Sequence, residues 1–201
     1  MGRKNNYIDE SPLASTSAGI NTVSSNVVIR GWDGLAVVAQ YTANAPGAKG
    51  FVDGDVTVAT NVVNEAAHGY ETGLLGALTT DGVLPTGLSA QDYYIIDINA
   101  NYYQFATTAA LAEAGTPVNI TAAAGGGTHT FTPDAANVAI QYQGALSLSG
   151  PFVTISTETV TTTSTNILWN VDRPHYKICR VRFQVNAGQG TFKVDTSKES
   201  D

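Results

Sequence analysis

Three histidines, one cysteine and seventeen carboxylates are the residues of this chain with catalytic or metal-binding potential. His68, His129 and His175 stand far apart in the sequence, and the one His or Cys neighbour of any of them is Cys179, four positions after His175. A zinc site needs three or four such groups converging, so no metal centre and no cofactor is expected. His68, in Ala67-His68-Gly69-Tyr70, reads as a turn residue. His129 alternates with Thr128 and Thr130 and reads as a strand residue facing water or a neighbour. Cys179 shares a strand face with Val181 and Phe183, so it reads as a small buried hydrophobe rather than a nucleophilic thiolate. The chain has no Gly-x-Ser-x-Gly elbow and no Ser-x-x-Lys. Asp53-Gly54-Asp55 could touch a calcium ion, but it lacks the further oxygens at regular spacing that an EF-hand loop supplies, and it reads as a turn. Gly125-Gly126-Gly127 has no Lys-Ser/Thr behind it and reads as a hairpin tip, not a phosphate cradle. With 17 acidic residues a chance carboxylate pair is certain, so such a pair says nothing about sugar cleavage. These residues predict a protein that is not an enzyme.

The net charge of −7 and pI of about 4.8 argue against binding nucleic acid by neutralising phosphates. No apolar run approaches the roughly 18–20 residues of a membrane helix, and the first residues lack the apolar stretch of a secretory signal. The single Cys predicts no disulfide framework and suits synthesis in a reducing cytoplasm. Charge is unevenly distributed. No Lys or Arg lies between Lys49 and Arg173, an interval holding eleven acidic residues, and basic residues then cluster at Arg173, Lys177, Arg180 and Arg182. Lys177, Arg180 and Arg182 are therefore candidates for docking on an acidic partner, the alternative being an ordinary solvated sheet face. Tyr93, Tyr94, Tyr102 and Tyr103 are candidates for an exposed aromatic binding surface. Strand alternation predicts one inward and one outward ring in each pair.

The elements that must position these residues read as short strands. Asn26 to Arg30 and Leu35 to Tyr41 flank an Asp33-Gly34 hairpin cue. Val56–Thr60, Tyr93–Ile98, Tyr102–Ala106, Val118–Thr121 and Thr128–Thr132 read as strands of a middle block, with one short helix between Thr107 and Ala114. Val138–Tyr142, Phe152–Ser156, Asn166–Trp169, Tyr176–Val185 and Thr191–Val194 follow. In the fourth of these, Cys179, Val181, Phe183 and Val185 alternate with Arg180, Arg182 and Gln184, as in an antiparallel sheet with one wet face. Short strands with turns between them predict an all-β fold. The expected architecture is an antiparallel β-sandwich with a second small β domain inserted, plus an extended N-terminal arm. The sandwich would comprise residues 26–48 and 136–197, the insert 50–134 and the arm 1–25. Val37-Val38-Ala39-Gln40-Tyr41 and Val138-Ala139-Ile140-Gln141-Tyr142 are alike and border the insert. Two sequential domains dividing near 134 are the alternative.

The middle block carries His68-Gly69-Tyr70-Glu71-Thr72-Gly73, Leu84-Pro85-Thr86-Gly87-Leu88, Tyr93-Tyr94-Ile95-Ile96, Asn101 to Thr108, Ala112 to Gly115 and Gly125 to Phe131 in that order. This series resembles a small β module that recurs in virion proteins of tailed bacteriophages. The outer block has Ile140-Gln141-Tyr142, Phe152 to Ile155, Trp169, Tyr176-Lys177, Arg180 to Phe183 and Gly188 to Thr191. It is similar to small β-sandwich proteins encoded among phage structural genes, but with a Thr-rich run from Thr157 to Thr165 in place of the usual turn. The resemblance implies a virion structural protein assembled in the host bacterial cytoplasm, most readily a capsid decoration or cement protein. Its partners would be the major capsid protein or other virion subunits, with homo-oligomerisation, and neither nucleic acid nor membrane would be bound. A tail, neck or baseplate component, or a receptor- or carbohydrate-binding module, is the alternative.

Overall fold

A computed structural model describes residues 6–18, 21–24, 26–28, 34–123, 126–147, 149–161, 164–172 and 175–200. Residues 1–5, Ile29, Arg30, Asp33, Gly125 and Arg173, which enter the readings above, lie outside them. In chain order the strands are β1 (Asn6–Ala18), β2 (Asn21–Val23), β3 (Val27–Val28), β4 (Gly34–Ala43), β5 (Lys49–Phe51), β6 (Val56–Thr57), β7 (Val62–Asn64) and β8 (Leu75–Thr80). Then come β9 (Asp92–Asn99), β10 (Tyr102–Ala106), helix α1 (Ala109–Glu113), β11 (His129–Pro133), β12 (Asn137–Ala145), β13 (Val153–Val160), β14 (Ser164–Asp172), β15 (Ile178–Ala187) and β16 (Gly190–Ser200). The fold is all-β with antiparallel sheets, as the alternation predicts. The chain divides into two compact units, Met1–Asn44 with Ala136–Asn186 and Gly190–Asp201, and Ala45–Ala135 with Ala187–Gln189.

The first unit is a sandwich of two sheets, ordered β1-β16-β4-β14 and β13-β12-β15-β2, with β3 also on β15. Period-two alternation builds its core. Leu35, Val37, Ala39 and Tyr41 of β4 are buried, as are Val138, Ile140 and Tyr142 of β12 and Cys179, Val181, Phe183 and Val185 of β15. The two look-alike segments thus use one pattern, Val-x-(Ala/Ile)-x-Tyr, to line the core from opposite sheets. Ring contacts tie the layers: Phe183 lies 4.5 Å from Phe192, and Tyr142 stacks on Trp169 at 5.6 Å. Burial pushes the Tyr142 phenol up, with the Cys179 thiol beside it.

Two readings change here. The segment read as an N-terminal arm contains β1, which pairs antiparallel with β16 from Asn6↔Ser200 to Ala18↔Gly190, with irregularities at Glu10/Leu13 and Leu13/Thr16. Backbone pairing needs no apolar periodicity, so a segment without an apolar face can still complete a sheet. Among the described residues the strands on either side of the Asp33-Gly34 cue do not pair with each other: β3 pairs with β15 in one sheet and β4 with β14 and β16 in the other. A turn signal does not specify which sheet receives the next strand.

The second unit is one curled antiparallel sheet, β5-β11-β8-β9-β10-β7-β6. It closes on Phe51, Tyr70, Tyr93, Tyr103, Phe105 and Phe131, whose rings meet in tilted and edge-on pairs about 5–6 Å apart, the favoured geometry for aromatic quadrupoles. Helix α1 forms where expected, and Thr108 caps it by accepting from the Leu111 N–H at 3.2 Å. Val56–Thr60 is strand only to Thr57. A 3-10 turn, Val58–Thr60, follows and ends at Asn61 with φ 58°, whose side-chain oxygen accepts from the Ile120 N–H at 2.7 Å. Val118–Thr121 forms no named strand; the Val118 N–H donates to the Phe105 carbonyl of β10 at 2.7 Å and the Thr121 N–H to the Thr86 carbonyl at 2.9 Å.

Candidate functional site

The docking candidates fall on and beside the outward face of the β13-β12-β15 sheet. Arg180 and Arg182 alternate with the buried Cys179, Val181 and Phe183, so both guanidinium stems leave the sheet on its outer side. Arg180 is fixed in place: its Nε donates to the Gln143 side-chain oxygen at 2.8 Å, and its guanidinium lies 3.9 Å above the Phe152 ring. Gln143 in turn donates to Thr154 at 3.1 Å and to Gln141 at 3.3 Å. Gln143 follows Ala139 and Gln141 on the outward side of β12, and the irregularity opposite it, which leaves Ile155 of β13 unpaired, sets Thr154 across from it. Burial, and then the neighbouring Arg182 cation, lower the Arg180 pKa from its ordinary value. A guanidinium held in this way suits bidentate recognition of a carboxylate. Lys177 is exposed just before β15, and its backbone N–H donates to the Ala145 carbonyl at 2.9 Å. It stands beside a hollow of about 370 Å³ lined by Gly144, Ala145, Leu146, Val153, His175 and Tyr176. Leu146, 66% exposed, and Val153, 56% exposed, make an apolar rim next to the cations.

The four tyrosines separate as alternation predicts. Tyr93 and Tyr103 are core residues at 1% and 0% exposure and cannot present a ring to a ligand, while Tyr102 is 40% exposed and Tyr94 half-buried against Ile96, Ala106 and Ala112. The Tyr93 hydroxyl accepts from the Ser89 N–H at 3.1 Å. The Tyr103 hydroxyl has no hydrogen-bond partner among the described residues, and burial, with Tyr70, Glu65 and Asp55 nearby, pushes its pKa up.

His129 does not face water. It is fully buried, with Nδ1 2.8 Å from the Thr80 hydroxyl and Nε2 3.0 Å from Asp53. Gly82 donates to that hydroxyl at 3.0 Å, and Gly126 donates to the other Asp53 oxygen at 2.8 Å. The donors assign the tautomer. The Asp53 carboxylate can only accept, so Nε2–H donates to it, and in the neutral ring Nδ1 then accepts from the Thr80 O–H. Hydroxyl, imidazole and carboxylate stand in line as in a nucleophile relay, but the ring is fully buried and ties the ends of β8 and β11 to the 3-10 turn at Asp53. Asp53-Gly54-Asp55 is a 3-10 turn whose carboxylates are used internally, Asp55 accepting from the Val52 N–H at 2.9 Å. His68 is a buried turn residue that takes the Tyr70 N–H on Nδ1 at 3.0 Å and lies 2.8 Å from the Asn99 carbonyl through Nε2. Among the described residues no three His, Cys, Asp or Glu converge to hold a metal.

Sequence reading missed that Gln143 and Phe152 fix Arg180, and that Thr80 and Asp53, the latter read only as a turn residue, flank His129. None carries a local signal, because each partner lies on another strand or turn.

No protein-family model and no curated protein sequence matches the chain. Among solved structures, the VP16-VP17 complex of the two major capsid proteins of bacteriophage P23-77 aligns over 98% of both chains at 13% identity and a TM-score of 0.26. VP17, a capsid protein of the same phage, aligns over 98% of this chain and 96% of that one at 11% identity and a TM-score of 0.24. At these scores neither likeness bears on fold or function.

Proposed function

We propose that this chain is a non-enzymatic structural protein of a bacteriophage virion, and that it decorates or cements the capsid. The carrying observation is the outward face of the β13-β12-β15 sheet. Arg180 is held by Gln143 and Phe152 with Arg182 beside it, and an apolar hollow with Leu146 and Val153 on its rim adjoins them. Thr154, Thr157, Thr159, Ala139, Gln141, Gln143 and Gln184, which share this side by register, carry no carboxylate, while the exposed Glu158 of β13 stands opposite Ile140. A fixed cation pair beside an apolar socket fits an acidic, partly apolar surface on a larger assembly. The motif order of the middle block supports the virion assignment. A receptor- or glycan-binding role has less support, since Tyr93 and Tyr103 are buried.

The test is localisation and copy number in purified particles by cryo-EM and quantitative mass spectrometry. Hundreds of copies on the head support the reading, whereas density only at the tail or neck overturns decoration. Arg180→Glu with Arg182→Glu should release the protein from particles while leaving it folded, and purified protein should turn over no polysaccharide.

A further inference from the structure

Strand β14 is the outer edge of its sheet. It pairs along its whole length with β4, from Ser164↔Thr42 to Asp172↔Gly34 without irregularity, and with no other strand among the described residues. Such an edge presents a row of backbone N–H and C=O groups, which proteins usually guard with Lys, Pro, a bulge or an inward charge. From Ser164 to Val171 the strand has no charged residue, no Pro and no Gly. Its outward side carries Leu168, 58% exposed, between exposed Asn166 and Asn170, and its inward side carries Ile167 and Trp169, half-buried against the sandwich core.

We propose that β14 pairs antiparallel with β14 of a second copy, about a two-fold axis through Leu168. The segment is self-complementary in this register. Leu168 meets Leu168, Ile167 meets Trp169, Asn166 meets Asn170 and Thr165 meets Val171, so like faces like on both sides of the sheet. Moving the axis to Ile167 or to Trp169 sets Leu168 against an asparagine. A two-fold contact of this kind closes on itself and leaves the edge used up in both copies. The two four-stranded sheets become one continuous sheet. A regular antiparallel pairing over this length makes about eight to ten hydrogen bonds, within the range of a standard protein interface. From Ser164 to Val171 the strand offers no charge to select a foreign acidic or basic strand, and its self-complementary order favours a second copy as the occupant. The inference does not depend on the virion reading.

Sedimentation of the full chain at high micromolar concentration tests it. A species of about twice 21.0 kDa is expected, and Leu168→Lys, at an exposed site, should give a monomer with unchanged circular dichroism. Under oxidation Leu168→Cys should form a covalent dimer, since Cys179 is buried and the introduced thiols face each other. Asn166→Cys alone should not, because residue 166 faces residue 170 of the copy, and Asn166→Cys with Asn170→Cys should. The cross-linking decides the register even where Leu168→Lys fails to fold. A wild-type monomer overturns the proposal and leaves the edge to a strand of another protein. Cross-linking through Asn166→Cys but not Leu168→Cys overturns it equally.

Discussion

Asp53→Ala tests whether the Asp53–His129–Thr80 relay is structural. The Gly126 N–H and the His129 Nε2–H lose their acceptor in this variant. The Gly126 N–H is exposed and rehydrates at little cost. The His129 Nε2–H sits on a fully buried ring and cannot. A buried donor stripped of its acceptor costs about 1–3 kcal/mol. The expected destabilisation is about 2 kcal/mol, confined to the Ala45–Ala135 unit. For a unit of this size that lowers its melting temperature by roughly 8–16 °C. Asp81→Ala is the control, because Asp81 accepts from the exposed Thr128 N–H and the loss should be about 0.5 kcal/mol or less. Calorimetry, with hydrogen exchange at β5 and β11, separates the unit's response from that of the sandwich. Equal melting temperatures for Asp53→Ala and wild type would refute the argument that burial makes this contact costly to lose. Loss of protection across β12 and β15 alone would refute its localisation.

Gly144→Ala should destabilise the sandwich by about 1–3 kcal/mol in thermal melts, because a Cβ there comes within 2.6 Å of the Tyr176 ring and 2.9 Å of Ile155. Tyr103→Phe removes a buried hydroxyl with no partner among the described residues, so it should leave stability unchanged or raise it by about 1 kcal/mol in urea titrations, whereas Tyr103→Ala should cost about 3–5 kcal/mol. Burial raises the phenol pKa values of Tyr70, Tyr103 and Tyr142 above the ordinary value of about 10. The unfolded chain therefore releases these protons first, and stability, intact below about pH 10, falls as pH rises beyond it. Phenolate absorbance should show the three titrating only together with unfolding.

Alternation made much of the fold legible. It is a local, period-two property, so the inward Cys179, Val181 and Phe183, the outward Arg180 and Arg182, and the split of Tyr93 from Tyr94 and of Tyr102 from Tyr103 could be read from neighbouring residues alone. Helix α1 falls inside the stretch Thr107 to Ala114 where the sequence places one, and the structure adds its Thr108 cap. Strand β8 and the pairing of β1 with β16 were not, because a backbone ladder accepts sequences without an apolar pattern.

Which residue meets which across the fold was decided only in three dimensions. Asp53 reaches His129 across 76 positions and Gln143 reaches Arg180 across 37, and neither interval carries a spacing rule. A buried imidazole is stable only where distant turns bring it an acceptor and a donor, so the placement of His129 in the core depends on the assembled sheet. The sequence by itself determined that successive strand residues face opposite sides, through backbone geometry. Tertiary structure decided the partners, because strand order and register set them.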